Sequence, residues 1–175
     1  VLAHGERFTV LTAGALHDTF ANAGGFVAGS DGTRFQISYS AASVTLIVDG
    51  TTSRGTPYSW IESHNLDGGD PETVDLLDHD GDGMLSWEEH LAGTDPRDPH
   101  SRLSVAVEPA GGGTDGFTLR WSSAVGRIYH VLSSTDLRTL TPHAGPIAAT
   151  PPENSLPVGE TGPRRQFFLV SVEMP

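Results

Sequence analysis

The chain has 175 residues, 37% of them apolar, with no cysteine and with 10 basic against 22 acidic side chains, a net charge of −12. That length holds one or two domains with real cores; no run approaches the roughly 20 apolar residues that cross a bilayer, and the lack of thiols excludes disulfides, thiolate metal sites and cysteine nucleophiles. Twelve of the acids fall between Glu62 and Asp98 beside a single base, Arg97, a concentration that repels nucleic acid and anionic membranes and repels itself unless a cation neutralises part of it.

From the N-terminus, Phe8-Thr-Val-Leu-Thr12, Arg34-Phe-Gln-Ile-Ser-Tyr39 and Ser43-Val-Thr-Leu-Ile-Val48 alternate apolar and polar residues with the period of a strand. Gly24-Gly25, Gly29-Ser-Asp-Gly32 and Asp49-Gly50 punctuate them as turns. Three or four strands bury too little to stand alone, so residues 1–50 read as a β-strand cap or the end of an upstream β-helix. The start at Val1 reads as a fragment or processed product, with the upstream region of its own polypeptide as a partner. No positively charged start followed by an apolar stretch marks a signal peptide.

Residues 51–100 change character. Thr56-Pro57 has the form of an N-cap with proline at the first helical position, which predicts a helix to about Asn65 with Trp60, Ile61 and His64 on one side. His64 reads as a partly buried face residue rather than a ligand. Asp70-Pro71 repeats the signal for a short helix with Val74 and Leu77 on one face.

Residues 78 to 89 then read Asp-His-Asp-Gly-Asp-Gly-Met-Leu-Ser-Trp-Glu-Glu. Asp78, Asp80 and Asp82 fall at positions one, three and five of an EF-hand loop, and Gly83 permits the sharp turn at six. Met84 offers its carbonyl at seven, Leu85 is apolar at eight, Ser86 serves at nine directly or through water, and Glu89 closes at twelve with two oxygens. Alternate carboxylates on a tight turn converge on one point, and a hard cation wants six to eight such oxygens, so Ca2+ is the expected ligand. A solvated acidic turn would account for the Asp-Gly repeats but not for Glu89, and carboxylates in place of imidazole or thiolate clusters disfavour a softer metal. His79, between ligands, is expected to face solvent. The exit helix should span Ser86 to Ala92, burying Leu91 and Trp87, with Gly93 as its stop. Thr94-Asp-Pro-Arg-Asp-Pro99 is a helix-incompatible spacer. Asp95 and Asp98, and likewise Asp67, Asp70 and Asp75, offer carboxylates for a second ion, although acidic turns are common without metal.

From Leu103 the period returns to two: Leu103-Ser-Val-Ala-Val107, Phe117-Thr-Leu-Arg-Trp121, Ile128-Tyr-His-Val-Leu132 and Gln166-Phe-Phe-Leu-Val-Ser-Val172, with Gly111-Gly-Gly113, Asp115-Gly116 and Pro151-Pro152 between. Residues 101–175 therefore predict an antiparallel β-sandwich of fibronectin or immunoglobulin type, with Trp121 in its core. The expected fold is mainly β with a small α calcium-binding connector: a β-repeat cap, an EF-hand-like loop with short helices, then the sandwich.

Three segments in this order resemble the C-terminal regions of large secreted or surface proteins of the Verrucomicrobia and Planctomycetes type. Gly5-Glu-Arg-Phe-Thr-Val-Leu-Thr-Ala-Gly14, Asp18-Thr-Phe20 and Ser43-Val-Thr-Leu46 look like the closing rungs of autotransporter-like β-repeats. Asp78 to Pro96, with Gly93-Thr-Asp-Pro96 after the loop, looks like a dockerin-like or thrombospondin type 3-like calcium module. Arg120-Trp121, Gly126-Arg-Ile-Tyr129 and Ser133-Ser-Thr-Asp-Leu137 through Phe167-Phe168 look like the terminal β-sandwich of those proteins, though Leu140 stands near where they often carry an aromatic residue. The resemblance implies export, calcium and a structural or adhesive role.

No Gly-x-Ser-x-Gly elbow, His-Glu-x-x-His motif or phosphate-loop lysine is present, so the chain is expected not to be an enzyme. The leading expectation is a calcium-stabilised C-terminal module of a bacterial extracellular or cell-surface protein. A rival is a carbohydrate-binding accessory region of a secreted polysaccharide-degrading enzyme, stacking surface glycans on Trp121 or Tyr129. Others are a dockerin-like docking module, and a surface fibre of other copies of the chain joined through strand edges.

Overall fold

The computed structural model describes residues 2–20, 25–31, 33–66, 69–109, 116–159 and 166–175. The expected turn residues Gly24, Gly32, Gly111–Gly113 and Asp115, and the candidate ligand Asp67, lie outside these. The described residues are mainly β, in three antiparallel sheets with three short helices. The chain divides into two compact units, Val1–Asp75 and Leu76–Pro175, a boundary that falls inside the segment read from sequence as one module.

The N-terminal unit holds strands β1 (Arg7–Thr12), β2 (Phe26–Ala28), β3 (Arg34–Tyr39) and β4 (Ser43–Asp49) in the order β1-β4-β3-β2. β3 and β4 pair from Arg34 opposite Asp49 to Tyr39 opposite Val44, and β1 pairs with β4 across a bulge between Thr9 and Leu11. Every pair is antiparallel, whereas stacked rungs of a β-helix pair in parallel. β2 lacks a sequence signal because it is only three residues long.

Helices α1 (Tyr58–Ser63) and α2 (Pro71–Val74) follow. Ile61, Leu66 and Val74 form their core, with Trp60 packed against it. The N-cap of α1 is Pro57, not Thr56, and it offers no side-chain oxygen. Asp49 fills that role from the end of β4: the Ser59 backbone N–H donates to its Oδ1 at 3.1 Å and the Ser59 hydroxyl to its Oδ2 at 2.7 Å. α2 starts as expected, with Asp70 as N-cap and Pro71 at N1. Val74 is buried, but Leu77 is 39% exposed and lies beyond the helix.

The C-terminal unit carries the acidic loop and helix α3 (Ser86–Ala92), ended by Gly93 in the left-handed region at φ 77°. Two sheets follow: β5 (Val105–Pro109), β6 (Phe117–Ser122) and β9 (Glu153–Val158) in the order β5-β6-β9, and β7 (Ile128–Ser134), β8 (Thr141–Ala148) and β10 (Phe167–Glu173) in the order β10-β7-β8. Alternation along β6 and β7 turns Leu119, Trp121, Tyr129 and Val131 inward, and with Val158 they form one cluster joined by residues of both sheets. Trp121 and Tyr129 meet edge to face with centroids 6.0 Å apart. The helix face that α3 buries is Ser86, Glu89 and Ala92, not Leu91 and Trp87, which are half-buried.

Candidate metal centre

The acidic loop is wound by its own side chains. The Gly81 and Gly83 backbone N–H groups donate to Asp78 Oδ1 and Oδ2 at 2.7 and 3.0 Å, Asp82 N–H donates to Asp80 Oδ1 at 3.1 Å, and Met84 N–H donates to Asp82 Oδ1 at 2.7 Å. Gly81 and Gly83 take φ of 82° and 98°, which a Cβ would oppose. One potential ligand oxygen from each of Asp78, Asp80 and Asp82 lies within 4.8 Å of the others. Asp78 is exposed while Asp80 and Asp82 are half-buried.

Two oxygens left over from this winding, and one of Glu89, lack partners. Asp80 Oδ2, Asp82 Oδ2 and Glu89 Oε2 are each buried without a hydrogen-bond partner. An unmatched buried acceptor costs about 1–3 kcal/mol, more when charged, so each of the three is an oxygen that a partner would satisfy. The three-aspartate cluster can hold a metal ion.

Glu89 stands outside the 4.8 Å group but borders it. Its side chain is fully buried on α3. Desolvation raises its carboxyl from an ordinary 4.5 to about 7, opposed by a hydrogen bond from Thr94 and reinforced by the negative charges of Asp80, Asp82 and Asp95. The Thr94 hydroxyl donates to Glu89 Oε1 at 3.2 Å, leaving Oε2 as the open oxygen. Glu88, next to it, instead caps the helix by accepting from Leu85 N–H at 2.8 Å.

Of the remaining expected ligands, Met84 lies in the loop with its N–H on Asp82, as described. Ser86 is buried and its hydroxyl donates to the Leu77 carbonyl at 3.0 Å, which leaves its oxygen lone pairs as acceptors. His79 is half-buried rather than turned to solvent, and its Nε2 is a buried atom without a partner. Asp95 and Asp98 accept from local backbone N–H groups of Arg97 and His100, and Asp75 is buried with Oδ2 accepting from the Thr52 hydroxyl at 2.7 Å. No second group of three or more candidate ligands forms among the described residues.

Thr94 has no place in the twelve-residue pattern, and only its position just after the Gly93 stop puts it within reach of Glu89. The aromatic candidates for a sugar platform are closed: Trp121 and Tyr129 are 1% and 0% exposed, and the Tyr129 hydroxyl accepts from Ala124 N–H at 2.9 Å. Comparison with protein-family models, with curated proteins and with solved structures returns no match for this chain.

Proposed function

We propose that residues 78–89 bind Ca2+ through Asp78, Asp80, Asp82, the Met84 carbonyl, Ser86 and Glu89, and that the chain is a non-catalytic, calcium-stabilised module of a bacterial extracellular or cell-surface protein with a structural or adhesive role. The observation that carries this reading is the set of three buried, unpartnered carboxylate oxygens on Asp80, Asp82 and Glu89. They are hard oxygen donors, two of them on the Asp78, Asp80 and Asp82 cluster and the third on the buried Glu89, which suits a divalent cation with oxygen ligands. Calcium fits the twelve-residue spacing of the loop, whereas magnesium keeps several waters and is seldom held by an all-protein cage.

The C-terminal sheets, read here as a β-sandwich, are the body that the ion stabilises. Extracellular calcium modules bind at about 10⁻⁴–10⁻³ M, and at a hundredfold excess over Kd the linkage adds about 2.7 kcal/mol, about 11–22 °C in Tm for a unit of this size. Adding a chelator is expected to lower Tm by that order and to open residues 67–98 to protease. Asp78→Ala and Glu89→Ala should reproduce the chelated state in calcium. An identical melt and digest with and without chelator would refute the reading.

A further inference from the structure

We infer that Arg127 is a positioning residue for the metal loop: by holding the last carbonyls of α3 it fixes the helix that carries Glu89 and links ion occupancy to the two C-terminal sheets. The inference rests on the metal-binding reading above. Arg127 lies in the turn between β6 and β7, far along the chain from the loop. Its Nε donates to the Leu91 carbonyl at 2.6 Å and its Nη2 to the His90 carbonyl at 2.8 Å. Both acceptors lie in the last turn of a helix that ends at Ala92, where carbonyls lack intrahelical partners and a positive charge is favoured. The third contact, from Nη1 to the Val125 carbonyl at 3.5 Å, closes the turn on itself, so the guanidinium binds backbone throughout.

The helix end has little room to move. A Cβ on Gly93 would stand 2.6 Å from the Ala124 Cβ and 3.5 Å from Arg127 Nη2, so the backbone leaving α3 lies directly on the same turn. α3 also packs against β10. Glu89 is immediately before the two gripped residues, and its own carbonyl accepts from Gly93 and Thr94 N–H at 2.7 and 3.1 Å. The Asp78, Asp80 and Asp82 ring winds itself through local bonds, but the closing ligand reaches that ring only if α3 is held at the right height. Arg127 supplies that hold, with a planar fork that spans two carbonyls where a lysine reaches one.

The test is calcium titration by calorimetry on the full chain, comparing wild type with Arg127→Met and Arg127→Lys. Loss of a residue that orients a ligand weakens metal binding by about 10- to 100-fold, so Arg127→Met is expected to raise the calcium Kd at least about tenfold and Arg127→Lys to fall between. Tm should fall more in calcium than in chelator. A purely structural role would lower both melts equally with Kd unchanged, and that result overturns the inference. Wild type that gives no calcium heat refutes the metal reading itself, a separate outcome. Should Arg127→Met not fold in chelator, Arg127→Lys decides: a raised Kd supports the coupling and an unchanged one overturns it.

Discussion

Glu89 is the residue on which the proposed metal site turns. It is fully buried, one oxygen is held by Thr94 and the other has no partner. Without metal its carboxyl is raised to about 7 by desolvation first and by its acidic neighbours second, so the folded state binds this proton more tightly than the unfolded state does. That contribution to stability is fully present below the ordinary value of 4.5 and is lost as pH rises through about 7. In chelator, lowering the pH from about 8 to about 5.5 is therefore expected to raise Tm, and Glu89→Gln should flatten the profile. If calcium binds as proposed, the sign is expected to reverse in its presence, because proton and ion compete for the same oxygens. Circular-dichroism melts across that range check both arms, and a chelated protein that loses stability on acidification would count against the burial argument. The clustering of Asp78, Asp80 and Asp82 is readable at the level of residues, because five consecutive positions contain it. The expected exposure of His79 is not, because whether that ring is covered depends on what packs over the loop.

At the scale of elements, strands with β-branched and aromatic alternation were legible: β3, β4, β6, β7 and β10 lie within a residue or two of where the pattern puts them. β8 and β9 were not, because Pro142, Pro146 and Pro157 interrupt them, and proline inside a run argues against a strand. Both are edge strands, where a missing N–H costs no ladder bond, and β7 shifts register twice opposite β8. The start of α1 is not legible for a related reason: the side chain that caps it is Asp49, ten residues before Ser59, and a nonlocal cap leaves no mark on the helix's own sequence. The stop of α3 was legible in Gly93, but its tightness was not. Gly93→Ala places a side chain at φ 77° with its Cβ 2.6 Å from Ala124, and about 1–3 kcal/mol of destabilisation is expected. Urea denaturation measures it; a neutral result would show that the turn at Ala124 yields freely.

At the scale of the molecule, the acidic loop belongs to the C-terminal unit, Leu76–Pro175, and α1 and α2 belong to the N-terminal one. If the ion is linked to the sheets through α3, its removal should lower amide-exchange protection in β7 and β10 as well as in α3, while β3 and β4 keep theirs. Exchange mass spectrometry in calcium and in chelator distinguishes this from a loop that frays alone, in which only peptides covering 78–92 would change.

The sequence by itself determined the cluster of Asp78, Asp80 and Asp82, the glycines that let it turn and the two-residue period of most strands, since each depends on neighbours within about a dozen residues. Only the tertiary structure decided that Glu89 is buried, that Thr94 holds one of its oxygens, that the Tyr129 ring is closed off with the expected core residue Trp121, and that Arg127 meets the end of α3. Those outcomes come from chain segments that are distant in sequence and adjacent in space, and burial and long-range hydrogen bonds have no local pattern to announce them.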